Sequence, residues 1–270
     1  MKFVQLRVFR FQKFSDNTIT MSRSSEDLEA VKLTSGRELF YISESAVERN
    51  LKKRGYKNSD ELKNIAHSDL EQGIYEGGLK VWEGAIDLCD FIDSSPDEVI
   101  CIDKSVLEIG CGAALPAILA LQKGAKSAVV QDFNKSVIEC FTKDNFVPNN
   151  VKVEKCDFYA GDWSDFQKHL EGRRFDIILS SETIYNEQLY ERFHDLLDAA
   201  LEPNGLVLIA AKLYYFGVGG NVPSFIEFVK SKGKFNSLIL WTSDSTVPRK
   251  VIQLTRRDPA DCVFAASLDQ

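Results

Sequence analysis

The sequence lacks the features that mark a membrane or a secreted protein. None of its 270 residues falls in an apolar run near the roughly 20 residues that a membrane-spanning helix requires. Its first residues, Met1-Lys2-Phe3-Val4-Gln5, do not form the continuous apolar block of a signal peptide. We therefore expect an intracellular protein that does not bind a membrane.

Cysteine and histidine are too scattered to indicate a metal site. The six cysteines include no Cys-x-x-Cys pair and have no histidine nearby. We expect free thiols in a reducing compartment and no bound metal ion, although six cysteines could in principle pair. The three histidines, His67, His169 and His194, fall outside every motif described below, and we interpret them as surface or core residues.

The composition is typical of a folded globular protein, with 44% hydrophobic and 27% charged residues. The length does not demand two domains, because open α/β sheets commonly reach this size as one unit. The formal net charge is −7. This charge favours solubility, and an acidic protein surface would attract a basic macromolecule and repel free nucleic acid. We therefore expect no direct nucleic-acid binding.

Residues 1–78 differ in their sequence pattern from the rest of the chain. They are predicted to form a partly structured N-terminal extension. Alternating apolar residues predict a strand over residues 3–9, and a polar, acidic stretch follows at residues 22–27. The basic run Lys52-Lys53-Arg54 is either a nuclear-import element or solvated surface. Residues 79–270 are predicted to form the main domain.

Strands and helices alternate from Leu79 onward. Apolar periodicity predicts strands at residues 105–109, 127–131, 151–154, 175–179 and 206–211, and helices at residues 81–93, 113–123, 135–145, 164–170, 187–201 and 223–232. This order indicates a parallel, doubly wound sheet. Two further strands, at residues 237–241 and 250–255, are joined by a link too short for a crossover helix, so they should pair antiparallel.

A glycine turn, Gly110-Cys111-Gly112, joins the first strand of this domain to its helix. At such a turn the backbone can approach a ligand closely, and the helix N-terminus offers unpaired N–H groups. The turn alone fits several cofactors. The third glycine of a dinucleotide fingerprint is missing, because Ala113-Ala114-Leu115-Pro116 follows, and this disfavours a nicotinamide cofactor.

Polar residues stand at the ends of neighbouring strands. Glu108, before the first glycine, suits the ammonium of a methionine moiety, unless it only faces solvent or pairs with a lysine. Asp132 suits the ribose hydroxyls of either NAD or S-adenosylmethionine. Gly161-Asp162-Trp163 offers an acid and an apolar surface for adenine, unless Trp163 is a core residue. Ser180-Ser181-Glu182 follows the fourth strand, at the edge where ligands of such sheets bind.

These features favour a Rossmann-like, seven-strand methyltransferase domain that binds S-adenosyl-L-methionine. The terminal antiparallel hairpin is typical of that fold and is unexplained in a dinucleotide dehydrogenase. Two alternatives stay open: an NAD-dependent oxidoreductase, and a non-catalytic methyltransferase-like binding protein. Intact Glu108, Asp132 and Asp162 argue against loss of activity.

Five short motifs, in order, resemble the eukaryotic histidine protein methyltransferases, the methyltransferase-like protein 18 family. They are Leu79-Lys80-Val81-Trp82-Glu83, residues 107–112, Gln131-Asp132-Phe133, Ser181-Glu182-Thr183-Ile184-Tyr185-Asn186 and residues 215–220. The resemblance implies methyl transfer to the tele nitrogen of a histidine in a large-subunit ribosomal protein. It also implies a location in the cytoplasm and the nucleus, with the nucleolus as a candidate compartment.

The resemblance further implies a set of cofactor-binding residues, to which the glycine turn and its strand add Glu108 and Gly112. This set comprises Val81, Trp82, Glu83, Gly84, Ala85, Gly110, Gln131, Asp132, Phe133, Gly161, Asp162, Trp163 and one of Ser180 or Ser181. The sequence departs from the family at Gly84 and Ala85, which replace bulkier residues. It also departs at Ala113-Ala114, which replaces the usual Ser-Gly.

The acceptor is either histidine or lysine, since residues 182–185 also resemble the acid-x-x-Tyr element of protein-lysine methyltransferases. Histidine, with an ordinary pKa of about 6.5, is mostly neutral at neutral pH, whereas lysine, at about 10.4, must lose a proton. Histidine instead needs the correct tautomer. Glu182, Tyr185 and Asn186 are the candidate catalytic residues for accepting the N–H of the other ring nitrogen. The loop at residues 215–221 is predicted to flank the acceptor channel or to act as a plain connector.

Overall fold

The computed structural model describes residues 27–56, 75–94 and 101–257. The strand predicted at residues 3–9, together with His67 and Cys262, lies outside the described residues. Within them, no helix combines the length and apolarity needed to cross a membrane. No group of three or more His, Cys, Asp or Glu in the described ranges is arranged to hold a metal ion.

The N-terminal part forms a small hairpin followed by a helix. Strands β1 (Leu28–Lys32) and β2 (Glu38–Ile42) pair antiparallel, and helix α1 covers Glu44–Lys53. The helix begins at Ser43, whose hydroxyl accepts the Ala46 N–H, which is the usual role of serine at this position. The basic residues Lys52 and Lys53 lie exposed in its last turn, where positive charge is favoured.

Two asparagine side chains anchor this hairpin to the rest of the protein. Asn145 Oδ1 accepts the Ile42 N–H (2.9 Å), and Asn149 Oδ1 accepts the Phe40 N–H (2.9 Å). The Asn149 amide also donates to the Phe40 carbonyl oxygen (2.6 Å). These bonds satisfy backbone groups of β2 that no other strand among the described residues pairs. The hairpin and the main sheet share one hydrophobic core, and the domain division after residue 78 stays a prediction.

Seven strands form the main sheet. They are β3 (Ser105–Ile109), β4 (Ser127–Asp132), β5 (Cys156–Ala160), β6 (Phe175–Ser181), β7 (Leu201–Lys212), β8 (Phe235–Thr242) and β9 (Arg249–Arg256). Their spatial order is β5-β4-β3-β6-β7-β9-β8. Strands β3 to β7 are parallel, and β9 pairs antiparallel with both β7 and β8. The predicted doubly wound sheet with a terminal antiparallel hairpin is confirmed.

The helices cover the two faces of this sheet. They are α2 (Glu83–Ser94), α3 (Leu115–Gln122), α4 (Lys135–Val137), α5 (Trp163–His169), α6 (Tyr190–Ala200) and α7 (Val222–Lys232). Helix α3 is followed by Gly124 at a φ of +96°, as its predicted end requires. Helix α7 begins at Asn221, whose side chain accepts the Ser224 N–H.

Three local predictions are wrong. Residues Val153–Lys155 form a 3-10 turn, and the strand predicted at 151–154 begins instead at Cys156, where pairing with β4 starts. The helix predicted at 135–145 stays regular only through Val137 and widens into a π-helix at Ile138–Thr142. The Thr142 hydroxyl donates to the Val137 carbonyl oxygen (3.1 Å) and takes part in this distortion.

The strand predicted at residues 206–211 starts earlier than expected, because β7 begins at Leu201 and includes Pro203-Asn204-Gly205. Pairing between β6 and β7 slips between Phe175 and Ile177, so the three residues form an irregularity in a strand that starts at Leu201. The turn residues interrupt the register without ending the strand.

The sheet separates two halves of the core. On β3, Leu107 and Ile109 face one half, which includes Phe166 and Phe193. Val106 faces the other half, which includes Leu88 of α2 and Ile118 of α3. Because side chains alternate along a strand, Glu108 points to the same side as Val106, toward α3. The carboxyl ends of the parallel strands are left to form a site.

Candidate active site

A cavity of about 550 Å³ opens at the carboxyl edge of the parallel strands. Residues that follow each of the strands β3 to β7 line it, and residues from Glu76 to Ala85 close its other side. This edge is where ligands of doubly wound sheets bind. The cavity therefore occupies the position that the motifs predicted.

The strand order gives the cavity two ends. Asp162 follows β5, Asp132 ends β4 and the glycine turn follows β3, whereas Glu182 follows β6 and Lys212 ends β7. Neighbouring strands lie about 4.8 Å apart. We call the part formed by β3, β4 and β5 the β5 end, and the part formed by β6 and β7 the β7 end.

Both glycines of the turn have left-handed backbone conformations, with φ values of +64° at Gly110 and +47° at Gly112. A Cβ atom at Gly110 would lie 2.6 Å from Thr183 Cγ2, and one at Gly112 would lie 3.2 Å from the Gly78 carbonyl oxygen. A side chain at either position would thus be strained and crowded. The turn leaves its backbone open toward the cavity.

Asp132 ties this turn to the end of β4. Its Oδ2 accepts the Gly112 N–H (2.9 Å), and its Oδ1 accepts the Asn134 N–H (3.2 Å). The side chain lines the cavity although the residue is only 4% exposed. Burial raises the pKa of Asp132 to about 6, and the backbone hydrogen bonds offset only part of this rise.

Gln131 lies behind the cavity wall and holds residues that form it. Its Oε1 accepts the Trp163 indole N–H (3.1 Å) and the Gly110 N–H (3.4 Å). Its amide donates to the Gly161 carbonyl oxygen (2.7 Å). One buried amide thus links the ends of β3, β4 and β5.

Asp162 and Trp163 form the far wall of the β5 end. Asp162 accepts the Ser164 N–H (2.8 Å) at the start of α5 and pairs with Arg192 (3.2 Å). The Trp163 ring packs against Phe193 with centroids 5.0 Å apart. Both side chains also line the cavity, together with Phe133. The wall therefore combines an acid with aromatic surface.

Glu108 is fully buried and does not line the cavity. Its Oε2 accepts the Ala117 N–H (2.8 Å) in the first turn of α3, and its Oε1 has no hydrogen-bond partner among the described residues. Burial raises the pKa of Glu108 to about 8. The structure thus places this carboxyl against a helix N-terminus, where it is favoured, and its role toward a ligand stays a prediction.

The residues after β6 have different positions. Tyr185 lines the cavity and donates its hydroxyl to the Glu76 carboxylate, and burial raises the Tyr185 pKa. Asn186 accepts the Gln188 N–H (2.9 Å) in a 3-10 turn and does not line the cavity. Ser180 is buried and donates to the Ile109 carbonyl oxygen (2.8 Å), so Ser181 is the serine that reaches the cavity.

Glu182 is the central acid of the β7 end. Its Oε2 accepts the Tyr215 hydroxyl, and its Oε1 has no hydrogen-bond partner in the described part of the chain. Burial raises the Glu182 pKa, while the Tyr215 hydrogen bond and the charge of Lys212 oppose the rise. A Cβ atom at Gly84 would lie 2.5 Å from Oε1. The absence of a side chain at Gly84 therefore makes room for Glu182.

Lys212 also lies at this end, and no sequence motif indicated it. Its Nζ is 5.3 Å from the centroid of the Trp82 ring and 3.4 Å from Glu83 Oε2. The indole N–H of Trp82 donates to the Gly77 carbonyl oxygen (3.0 Å), which fixes the ring. Lys212 is the last residue of β7. Its position at the end of a strand is the one sequence feature that could have indicated it as a site residue.

The loop after β7 flanks this end of the cavity. Gly220 donates its N–H to the Tyr185 carbonyl oxygen (2.7 Å), and a Cβ atom there would lie 2.2 Å from the Ile184 carbonyl oxygen. At the tip, Phe216 and Val218 line the cavity, and Phe216 is 84% exposed. The loop is thus pinned at its base and apolar at its tip.

The cavity brings together most of the predicted residues. It is lined by Val81, Trp82, Ala85, Gly110, Gly112, Asp132, Phe133, Asp162, Trp163, Ser181, Glu182 and Tyr185. The others lie outside the lining: Glu83, Gly84, Glu108, Gln131, Gly161, Ser180 and Asn186. Sequence reasoning missed Glu76, Arg192 and Lys212, because single charged residues outside a motif carry no signal of their own.

Comparison with known proteins gives a family match. Residues 58–216 match the model of a family described as lysine methyltransferase. The histidine protein methyltransferase 1 homolog of Bos taurus is 36% identical over 222 residues, covering 72% of this chain and 59% of that protein. The homolog of the same name from Dictyostelium discoideum is 38% identical over 171 residues, covering 63% and 54%. The matches thus span less than two thirds of these relatives.

A solved structure has the same fold. The O-methyltransferase from Bacillus cereus in complex with SAH superposes with a TM-score of 0.51 at 14% identity, covering 80% of this chain and 92% of that one. At this identity the likeness shows a methyltransferase fold and nothing finer.

Proposed function

Since the chain belongs to the lysine methyltransferase family, we propose that it transfers a methyl group from S-adenosyl-L-methionine to the tele nitrogen of a protein histidine. The observation that carries this proposal is that the cavity at the carboxyl edge of the sheet has two unlike ends. Its β5 end is built of open backbone, acids and aromatic surface, and its β7 end carries one buried carboxylate. Relatives named histidine protein methyltransferase 1 support histidine as the acceptor.

The β5 end fits the cofactor. Gly110 and Gly112 line the cavity without side chains, and Asp132 presents a carboxylate to it. We assign Asp132 to the ribose hydroxyls, Asp162 with Trp163 to adenine, and the turn at Gly110 and Gly112 to the methionine part. When bound, the cofactor supplies a methyl carbon on a positively charged sulfur. The protein's task is then to align the acceptor with that carbon.

Glu182 is the best placed of the three candidate catalytic residues. Asn186 lies outside the cavity lining, and the Tyr185 hydroxyl is engaged with Glu76. Glu182 lines the cavity and has an oxygen without a partner among the described residues. We assign its carboxylate to accept the N–H of one ring nitrogen, so that the other nitrogen presents its lone pair. The same carboxylate takes that proton once the ring has gained the methyl group.

The substrate is a protein, and we propose that it is a large-subunit ribosomal protein. An enzyme with a formal net charge of −7 would attract such basic partners. The exposed ring of Phe216 offers apolar surface beside the cavity for a polypeptide segment. This substrate would place the enzyme in the cytoplasm and the nucleus, including the nucleolus.

The experiment is incubation of the purified protein with methyl-labelled cofactor and proteins from unmodified large ribosomal subunits. Hydrolysis and chromatography of the labelled product then separate tele-methylhistidine, pros-methylhistidine and methyl-lysine. We expect tele-methylhistidine with the wild type and a loss of about 100-fold or more with Glu182→Gln, within the range for a positioned acid–base group. Methyl-lysine as the product would overturn the acceptor assignment and would favour the activity in the family's description.

A further inference from the structure

The β7 end of the cavity contains a cation of its own. Residue pairing between β6 and β7 continues to Glu182, whose N–H donates to the Ala210 carbonyl oxygen (2.8 Å), so Glu182 lies beside the end of β7. Lys212 is the last residue of that strand and lines the cavity. Burial raises the pKa of Glu182, and the charge of Lys212 opposes this rise. Its ammonium therefore lies within electrostatic reach of the proposed catalytic carboxylate.

The surroundings of Lys212 are those that bind cations. An aromatic ring face within about 6 Å attracts an ammonium, and carboxylates add to this attraction. Lys212 Nζ has the Trp82 ring at 5.3 Å and Glu83 Oε2 at 3.4 Å, while its side chain is 26% exposed. Nearby, Arg249 pairs with Asp87 of α2. The protein's own cations thus already occupy the aromatic face and two of the nearby acids.

We propose that Lys212 fills the cation-binding position at the β7 end and thereby excludes a substrate ammonium while admitting a neutral imidazole. This inference rests on the proposed function, because it explains how a member of a family described as lysine methyltransferase selects histidine. A second ammonium would meet a like charge and would find the Trp82 face occupied. A neutral ring meets neither obstacle and can still donate its N–H to Glu182.

The expected size of this discrimination follows from elementary electrostatics. Two like charges about 8 Å apart, at an effective dielectric constant of about 20, disfavour each other by roughly thirtyfold in an equilibrium constant. Removing the positive charge of Lys212 should therefore increase the relative use of a lysine acceptor by at least about tenfold. Keeping the charge as arginine should leave the discrimination in place.

The test compares acceptor peptides that differ at one residue. Lys212→Met removes the charge at similar length, and Lys212→Arg keeps it. Lys250→Met is the matched control, because Lys250 is on neighbouring β9 and its ammonium donates to the Thr242 hydroxyl in an exposed contact away from the cavity lining. The measurement is kcat/KM for peptides with a central histidine or lysine. We expect the lysine-to-histidine ratio to rise about tenfold in Lys212→Met alone, and an unchanged ratio would overturn the proposal.

A binding experiment on the wild-type protein tests the same proposal. It does not depend on whether a variant folds correctly. Peptides with a central lysine or its neutral isostere norleucine are titrated against the protein saturated with S-adenosylhomocysteine. We expect the norleucine peptide to bind about tenfold more tightly, and equal or tighter binding of the lysine peptide would overturn the proposal. Wild-type protein that methylates no histidine would instead contradict the proposed function, while this binding comparison would still decide the role of Lys212.

Discussion

The two ends of the cavity are built in different ways. At the β5 end, the glycine turn, Asp132 and Gln131 are joined by hydrogen bonds between backbone and buried side chains. At the β7 end, the charge of Lys212 acts on the Glu182 carboxyl, and the Lys212 ammonium pairs with Glu83. The first end is therefore fixed by backbone geometry, and the second by the balance of a few charged groups.

This difference predicts which property a substitution at each end of the cavity should affect. Hydrogen bonds to the backbone fix the shape of the β5 end. This end therefore suits a ligand that is the same in every reaction. A site made of side chains changes its preference when one residue changes, so the β7 end suits an acceptor that differs among relatives. Alterations at the β5 end should thus affect stability and cofactor binding, and those at the β7 end should affect turnover and acceptor choice.

The largest effect is expected for Gly110→Ala at the β5 end. An alanine at this position would have to keep the left-handed backbone conformation of Gly110. Its Cβ would lie 2.6 Å from Thr183 Cγ2. The backbone strain and the steric clash together should lower the free energy of unfolding by about 2–4 kcal/mol. Denaturation measurements and calorimetric titration with S-adenosylhomocysteine would show a loss of both stability and binding. The control is Gly172→Ala, also left-handed but with nothing within 4 Å, which should lose only the smaller conformational part.

A pH effect on stability is expected from Glu108, behind the β5 end. Its folded-state pKa of about 8 lies above its ordinary value, so the folded protein keeps a proton that the unfolded chain releases. Stability should therefore fall as pH rises between the two values, by at most about 1.4 kcal/mol per pH unit. Glu108→Gln should flatten this slope between about pH 6.5 and 8, above the Asp132 pKa of about 6.

The control for this prediction is Asp176→Asn. Asp176 has its pKa lowered by hydrogen bonds from Ser105 and by the charge of Lys104, which outweigh its burial. Its contribution to stability is lost only at acidic pH, so this variant should leave the slope near neutral pH unchanged. A Glu108→Gln variant that retained the full slope would mean that the buried proton lies elsewhere.

The smallest effect is expected for Tyr215→Phe at the β7 end. The Tyr215 hydroxyl donates to Glu182 and accepts the Lys212 N–H (3.2 Å). Removing the hydroxyl breaks both bonds and should reduce turnover by about fivefold to tenfold. Burial raises the Glu182 pKa and the Tyr215 hydrogen bond opposes this rise, so loss of the bond should move the acidic limb of the pH–rate profile to higher pH. Tyr214→Phe, on the exposed neighbour, should change neither quantity, and an unmoved limb in Tyr215→Phe would separate Glu182 from catalysis.

The β5 end was largely predictable because its elements are local in sequence. The strand at Ser105–Ile109, the glycine turn and the end of β4 at Asp132 follow from apolar runs and turn residues. The start of β5 at Cys156 did not follow, because the alternation at residues 151–154 resembles a strand but lies in a turn region. Only pairing with β4 selects the true strand.

The β7 end was less predictable because its contacts join distant segments. Glu182 was expected from its motif, but its neighbours Tyr215 and Gly84 come from other elements. Lys212 belongs to no sequence motif. Its proposed role depends on the Trp82 ring, which comes from a segment well over 100 residues earlier. Glu108 was also expected from its motif, and only the structure shows that its carboxyl accepts the Ala117 N–H of α3.

The sequence by itself determined the fold class, the position of the cavity and the identity of its glycine turn. Apolar periodicity and backbone conformation are local properties, and short segments are enough to specify them. The tertiary structure decided which acids reach the cavity, which are buried behind it and which cation faces the acceptor. Those outcomes depend on the burial and partners of each charge, and these exist only once the sheet has brought distant segments together.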